Sequence, residues 1–553
     1  MSTTGIPHIS QINGHPVMMV KGKPFILLAG EVHNSDSSSP AYMERIWDIA
    51  DQLGMNTLLL PVSWEMIEPE EGHFDFSVPQ ALIDQARSRD MHIVFLWFGS
   101  WKNAECMYAP AWVKTDLVRF PRAQIEKGKH KADRIFSPSI PVKMPYTTLS
   151  YLGEETAKAD ARAFATLMTF LKGYDSVQQT VVAVQVENET GLLGAAREIS
   201  DAADARFAAT VPADFTAYMR DHTETMTEEI RAAVLVGQAA GTWTEVFGGA
   251  AEEIFSAYHV ARFVNTVAEA GKAIYPLPMT ANCWLDKGDA PGSYPTGGPV
   301  SKVHEVWDFC APAIDVYCPD IYVPQFKQVC DEYTRRGGAL FIPESATHSY
   351  CAPRLVYTVG QYHAMCYSPF GFDDIGKPFT VMQGVLFGMD VSDPMLKTPQ
   401  SFEEYSFLGK TLREMMPMLA RAYGSDQLQA VSAETDPAIT HPSGNPFLAT
   451  QPTMDFGAFT VTATFQSQLN PRADGVCLCL AVSDSECWIV GNACDIHLSS
   501  GDRERLNLDL LLLEEGCFEN GQWIPGRRLN GDECARLSME KPVVWHIQFF
   551  TYT

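Results

Sequence analysis

The chain reads as a (β/α)8 TIM barrel followed by an all-β, sandwich-like domain, and three features of its 553 residues carry that expectation. Up to about residue 420, short apolar runs alternate with longer helical patterns, the rhythm of a parallel α/β architecture. The apolar runs are continuous, as in strands buried on both faces, and they number eight, which is what closes a barrel. After Arg421 the pattern changes to alternating strands broken by Gly, Asn, Asp and Pro.

The eight barrel strands are expected at 25–31, 56–62, 92–98, 181–187, 277–283, 314–318, 339–343 and 364–369. Helical spacing of apolar residues marks 40–53, 79–89 and 249–272. In the last of these Ile254, Phe255, Tyr258, Val260, Ala261, Val264 and Val267 form the stripe. Segments near 114–152 and 192–248 exceed ordinary loops, and insertions of that size in a barrel shape the mouth at the C-terminal face. The first carries Lys127, Lys129, His130 and Lys131, read as a solvated loop before a ligand contact. The domain boundary is placed after residue 421, giving a barrel over 1–421 and a β domain over 422–553. Strands in the latter are expected at 459–465, 476–482, 486–490, 506–513 and 543–552.

Composition removes several function classes. Lys and Arg total 41 against 67 Asp and Glu, a net charge of −26 whose field repels nucleic acid and acidic membrane surfaces. A neutral small molecule stays open as a partner, and 11 Trp and 19 Tyr are enough either to bind flat, polar-edged ligands or to fill a core. No run of about 18 apolar residues and no leader pattern are seen, and the 13 Cys have no metal-ligand spacing. Reduced thiols in the cytoplasm, with no metal and no organic cofactor, are therefore expected. The absence of HExxH, a Gly-rich phosphate loop and GxSxG argues against metalloproteases, nucleotide enzymes and α/β-hydrolases. A homo-oligomer is compatible with the sequence.

The chemistry-bearing stretches are VVAVQVENETG (181–191) and ALFIPESATH (339–348), where apolar strands run into carboxylates. Catalytic groups of such barrels sit at the C-terminal strand ends, which singles out Glu187, Asn188, Glu189 and Glu344. Two carboxyl groups roughly 5–5.5 Å apart can cleave a glycosidic bond with retention, one attacking the anomeric carbon and the other protonating the leaving oxygen. A lone strand-end Glu is more often an ion-pair partner or loop cap; two in matching settings favour catalysis.

NETG after a strand resembles the QxENE(Y)G segment of clan A glycoside hydrolases, above all the family 35 and family 42 β-galactosidases. That resemblance identifies Glu189, the Glu after Asn, as acid/base, and Glu344 as nucleophile. PFILLAGEVHNS resembles the first strand of family 35, and APAWVKTD its Pro-Ala-Trp segment. The string Trp-x-x-x-Glu-Pro-x-x-Gly-x-Phe-Asp-Phe, from Trp64 to Phe76, is similar to its second-strand signature. The resemblance spans about residues 20–390. It departs where family 35 has Gly-Pro-Tyr-x-Cys-Ala-Glu-Trp and this chain has FGSWKNAECMY, and where the first strand ends in Glu31-Val32-His33-Asn34. Those positions hold galactose hydroxyls in the family, so the resemblance implies a divergent branch between families 35 and 42.

Within that resemblance Asn188 is the residue that bonds the sugar 2-hydroxyl, with turn capping as the alternative, and Tyr322 the one that bonds the nucleophile, with packing as the alternative. Trp64, Trp97, Trp101 and Trp284 are strand-end aromatics of which one or two are expected to stack on a pyranose and the rest to pack. Glu31, Asn103 and Asn282 are polar strand-end groups able to take hydroxyls. The implied activity is a retaining exo-β-glycosidase acting on terminal β-D-galactose of an oligosaccharide or small β-galactoside. The alternatives are another glycone (glucose, fucose or arabinose) or a catalytically inactive carbohydrate-binding barrel.

Overall fold

The structure, a computed structural model, describes residues 5–135, 143–387, 398–434, 451–468, 470–502 and 506–553. Residues 136–142 of the expected 114–152 insertion and 435–450 of the expected β domain lie outside the described residues.

All eight expected barrel strands form, with ends displaced by a few residues. They are Leu27–Glu31, Thr57–Ser63, His92–Phe98, Val181–Val186, Met279–Trp284, Val316–Ile321, a seventh in two pieces (Phe341–Ile342 and Glu344–Ser345), and Cys366–Tyr367. The sheet runs in the order seventh (first piece), eighth, first, second, third, fourth, fifth, sixth, seventh (second piece). It therefore begins and ends on one strand, which is a closed eight-stranded barrel. Pro343 divides that strand, because it has no N–H to give to a ladder. Parallel registers such as Thr280 beside Val316 and Phe95 beside Val184 run through the sheet. Leu58–Leu60, Ile93–Phe98 and Val181–Val184 are fully buried, which explains why these strands are apolar without alternation.

By internal packing the chain divides into two compact units: up to His8, Val32–Glu44 and Leu58–Ile321 in the first, and Ile9–Glu31, Arg45–Thr57 and Tyr322–Thr553 in the second. In the first, the helices Glu154–Asp175 and Ala251–Lys272 pack together. They approach so closely that a Cβ on Gly271 would lie 2.3 Å from the Phe164 ring. The expected insertion at 192–248 is itself helical, with Asp201–Phe207, Ala213–Asp221, Glu228–Val236 and Trp243–Phe247. Phe215 gathers Trp243, Phe247, Tyr258 and Phe309 around it, giving these short helices an aromatic core.

In the second unit the C-terminal region forms a six-stranded and a four-stranded sheet, antiparallel in their pairings. Their inner faces share a core that includes Phe459, Val461, Ile489, Met539, Trp545, Ile547 and Phe549, the arrangement of a sandwich. The five strands expected here are present. Leu428–Ser432, Thr453–Asp455, Cys494–Ser500, Gln522–Arg528 and Leu537–Met539 are additional. All 13 Cys are free thiols, 11 of them buried. Among the described residues no helix is long and apolar enough to cross a membrane.

Candidate active site

In the first unit the fourth barrel strand ends at Val186 and the chain turns abruptly. Glu187 and Glu189 both adopt left-handed backbone conformations, with φ of 62° and 47°. Across from them Asn103 and Ala104 do the same at 52° and 57°. A left-handed non-glycine residue costs about 1–2 kcal/mol, so four in two facing segments mark a place where geometry is held against local preference.

The holding bonds can be followed atom by atom. The Glu189 N–H donates to Asn282 Oδ1 (3.0 Å), and its carbonyl accepts from the Ala104 N–H (3.0 Å). Asn282 in turn donates through Nδ2 to Asp320 Oδ2 (2.8 Å). Both ends of the Asn282 side chain are thus engaged within the protein, and it acts as a brace for Glu189. Asn188 accepts at Oδ1 from Lys102 Nζ (3.0 Å), while its buried Nδ2 has no hydrogen-bond partner among the described residues. A buried donor left open at a strand end is one that a ligand hydroxyl can satisfy. Gly191 closes the turn with φ of 131°, where a Cβ would lie 2.5 Å from the Pro295 carbonyl carbon.

Of the expected aromatics, Trp64, Trp97 and Trp101 are fully buried. Their indole N–H groups donate to Glu68 (2.8 Å), Asp160 (2.8 Å) and the Gly191 carbonyl (3.2 Å). These are the packing roles that the sequence left as alternatives. Trp284 is half-buried, edge-on to Tyr146, and Asn103 is half-buried with its N–H near Asn188 Oδ1 (3.4 Å). Glu68 of the second-strand signature is fully buried. It accepts from Trp64, from the Gly72 N–H (2.7 Å) and from Arg162 (3.0 Å), so that string encodes a brace below the strand end.

In the second unit Glu344 follows Pro343 on the seventh strand, nearly buried. Its Oε2 accepts from the Tyr322 hydroxyl at 2.7 Å, and its buried Oε1 has no hydrogen-bond partner among the described residues. The Tyr322 ring stacks on Phe387 at 4.6 Å, which fixes the hydroxyl's aim. Glu31 is fully buried at the end of the first strand, its backbone bonded to Pro369 and Gly371.

Lys102 and Asp320 were not singled out from sequence. Asp320 follows the same strand-end rule as the glutamates, two residues before Tyr322 in the stretch Pro319-Asp320-Ile321-Tyr322. Lys102 sits in a loop whose function only the fold reveals.

Residues 17–130 match the family model described as Glycosyl hydrolases family 35. The resemblance read from the N-terminal motifs is borne out over that segment. Residues 410–539 match a second model, described as Domain of unknown function (DUF5597). A β-galactosidase of Xanthomonas manihotis is 32% identical over 76 residues, 13% of this chain and 12% of that protein. Among solved structures, a β-galactosidase of Bacillus circulans sp. alkalophilus aligns with a TM-score of 0.45 and 13% identity, over 71% of this chain and 57% of its own. An exo-β-1,4-mannosidase of Opitutaceae bacterium strain TAV5 aligns with a TM-score of 0.41 and 15% identity, over 76% and 63%. The chain thus spans less than two thirds of the length of each of these proteins.

Proposed function

We propose that this chain is a retaining exo-β-glycosidase, with Glu189 as general acid/base, Glu344 as nucleophile and terminal β-D-galactose as glycone. The observation that carries the reading is that the two strand-end glutamates are prepared differently. Glu344 receives a tyrosine hydroxyl on one oxygen and keeps the other open, the setting of a nucleophile that is held in place and still has an oxygen to attack with. Glu189 is aimed through its backbone, by Asn282 and Ala104, as an acid that must meet a leaving oxygen is aimed.

In the first step Glu344 attacks the anomeric carbon while Glu189 gives its proton to the departing oxygen. In the second, Glu189 takes a proton from water, which displaces Glu344 from the sugar. Retention asks for carboxyl groups roughly 5–5.5 Å apart. Asn188, with its open Nδ2, is placed to bond the 2-hydroxyl, an interaction that strengthens as positive charge develops on the ring. Galactose is supported by the family 35 segment and the short stretch similar to a β-galactosidase.

A panel of aryl β-glycosides differing only in the glycone, followed by proton NMR of the first-formed sugar, tests the reading. Hydrolysis of the β-galactoside with β-galactose released first is expected. First release of the α anomer would exclude the retaining mechanism, and inactivity on every glycone would favour an inactive sugar-binding barrel.

A further inference from the structure

Glu187 is left without a role by the mechanism above, yet it is fully buried, two residues from the acid, and held in a left-handed conformation. Beside it lies Asp160, also fully buried, from the helix Glu154–Asp175. The two carboxyls take consecutive backbone amides of one loop: Ser100 N–H donates to Asp160 Oδ2 (2.9 Å) and Trp101 N–H to Glu187 Oε2 (2.8 Å). No cation is paired with either among the described residues. Two adjacent buried carboxylates without a counter-ion cannot both stay ionised.

The hydrogen bonds say which one keeps the charge. Asp160 accepts three donors, Trp97 Nε1 (2.8 Å), Ser100 N–H and Ser100 Oγ (2.6 Å), occupying both its oxygens. Glu187 accepts one, at Oε2, and its Oε1 meets no donor. We propose that Glu187 and Asp160 share a single proton, carried on Glu187 Oε1 and donated to Asp160, and that this pair is the positioning element of the acid/base turn. Burial and the neighbouring Asp160 charge both hold the Glu187 carboxyl well above the usual carboxylate range.

The pair ties the end of the fourth strand to the 100–104 loop. That loop also grips the acid/base turn through Lys102 on Asn188 and Ala104 on the Glu189 carbonyl. Glu187 thus anchors the frame on which Glu189 is presented, without touching substrate. The catalytic part of the inference rests on the glycosidase reading; the shared proton does not. Other charged groups on these segments are Lys102, which faces Asn188, Glu189 itself, and Glu105, whose half-buried carboxyl is pushed to about 7 by burial.

Glu187→Gln tests both parts. Its carboxamide can donate to Asp160 and accept from Trp101 without a proton to lose. For a carboxyl whose folded-state pKa is raised, the folded state binds more protons than the unfolded one, so stability falls as pH rises above the unfolded value of about 4.3. Melting temperatures measured across pH 5–9 are therefore expected to fall more steeply for wild type than for Glu187→Gln, with Glu105→Gln as the control for the other titrating group. Parallel curves for wild type and Glu187→Gln would overturn the shared proton whatever the chain's activity. On an aryl glycoside, Glu187→Gln is expected to stay within about threefold of wild-type kcat. Glu187→Ala is expected to lose at least about 100-fold on a glycoside with an unactivated leaving group and far less on a dinitrophenyl one, the pattern of a misplaced acid. A Glu187→Gln loss as large as that of Glu187→Ala, in a protein that melts normally, would overturn the positioning role.

Discussion

A hydroxyl on one carboxylate and a backbone frame around the other make the two glutamates respond differently to substitution. Tyr322→Phe removes the donor to Glu344 Oε2, so the proposed nucleophile loses the hydrogen bond that orients it and kcat/KM falls. A loss of about tenfold at neutral pH is expected, the cost of one hydrogen bond to a charged group. An unchanged kcat/KM would detach Tyr322 from Glu344. Glu189→Gln is expected to cost at least about 100-fold on alkyl or sugar aglycones and far less on a dinitrophenyl aglycone, which leaves without a proton. Comparable losses on both would take Glu189 out of the acid role. At this scale the sequence was readable because strand ends are where such a barrel exposes side chains. It could not separate Glu187 from Glu189 on pattern alone, since both follow the same apolar run. The structure separates them by hydrogen bonding: Glu187 lies against Asp160 and the Trp101 amide, while the backbone of Glu189 is held by Asn282 and Ala104. Trp64 and Trp97 were ambiguous for the same reason, and burial with an internal N–H partner resolves them as packing.

The second-strand signature is the element whose form has the plainest physical cause. Glu68 satisfies Trp64 Nε1, the Gly72 N–H and Arg162 at once, and Gly72 supplies the left-handed φ of 80° that brings its amide round. Glu68→Ala strands a buried indole N–H and a backbone N–H, and a loss of about 2–4 kcal/mol in urea unfolding is expected. A loss under about 0.5 kcal/mol would mean that the string serves something other than this brace. Barrel strands were legible because burial on both faces leaves no polar alternation to confuse them. The β domain was legible only in part: Gln522–Arg528 is mostly exposed and contains Pro and Gly, and Thr453–Asp455 is three residues long, so neither offers an apolar face to read. The helical insertion after residue 192 was seen as too long for a loop, but its helices are short and pack on one another's aromatics, a tertiary signal with little local trace.

At the scale of the whole molecule, an acidic chain with a large core owes little to surface pairs and more to a few buried ones. Within the second unit, Arg354 on the helix Cys351–Gln361 meets Glu434 at 2.6 Å with both side chains almost fully buried. Removing one partner leaves a buried unpaired charge, so Glu434→Ala is expected to destabilise by about 3–5 kcal/mol, read as a lowered midpoint in urea. An unchanged midpoint would show that solvent reaches Arg354 in the folded protein. The barrel followed by a β region was legible from pattern, yet the packing units interleave N-terminal and C-terminal segments, because a closed barrel brings its first and last strands together regardless of their distance along the chain. The central claim remains the division of labour between two glutamates, and a covalent trap addresses it most directly. Incubation with a 2-deoxy-2-fluoro-β-galactoside bearing a dinitrophenyl aglycone, followed by peptide mass spectrometry, should place one fluorosugar on Glu344 and none on Glu189 or Glu187. Attachment to any other residue, or turnover without any trapped adduct, would contradict it.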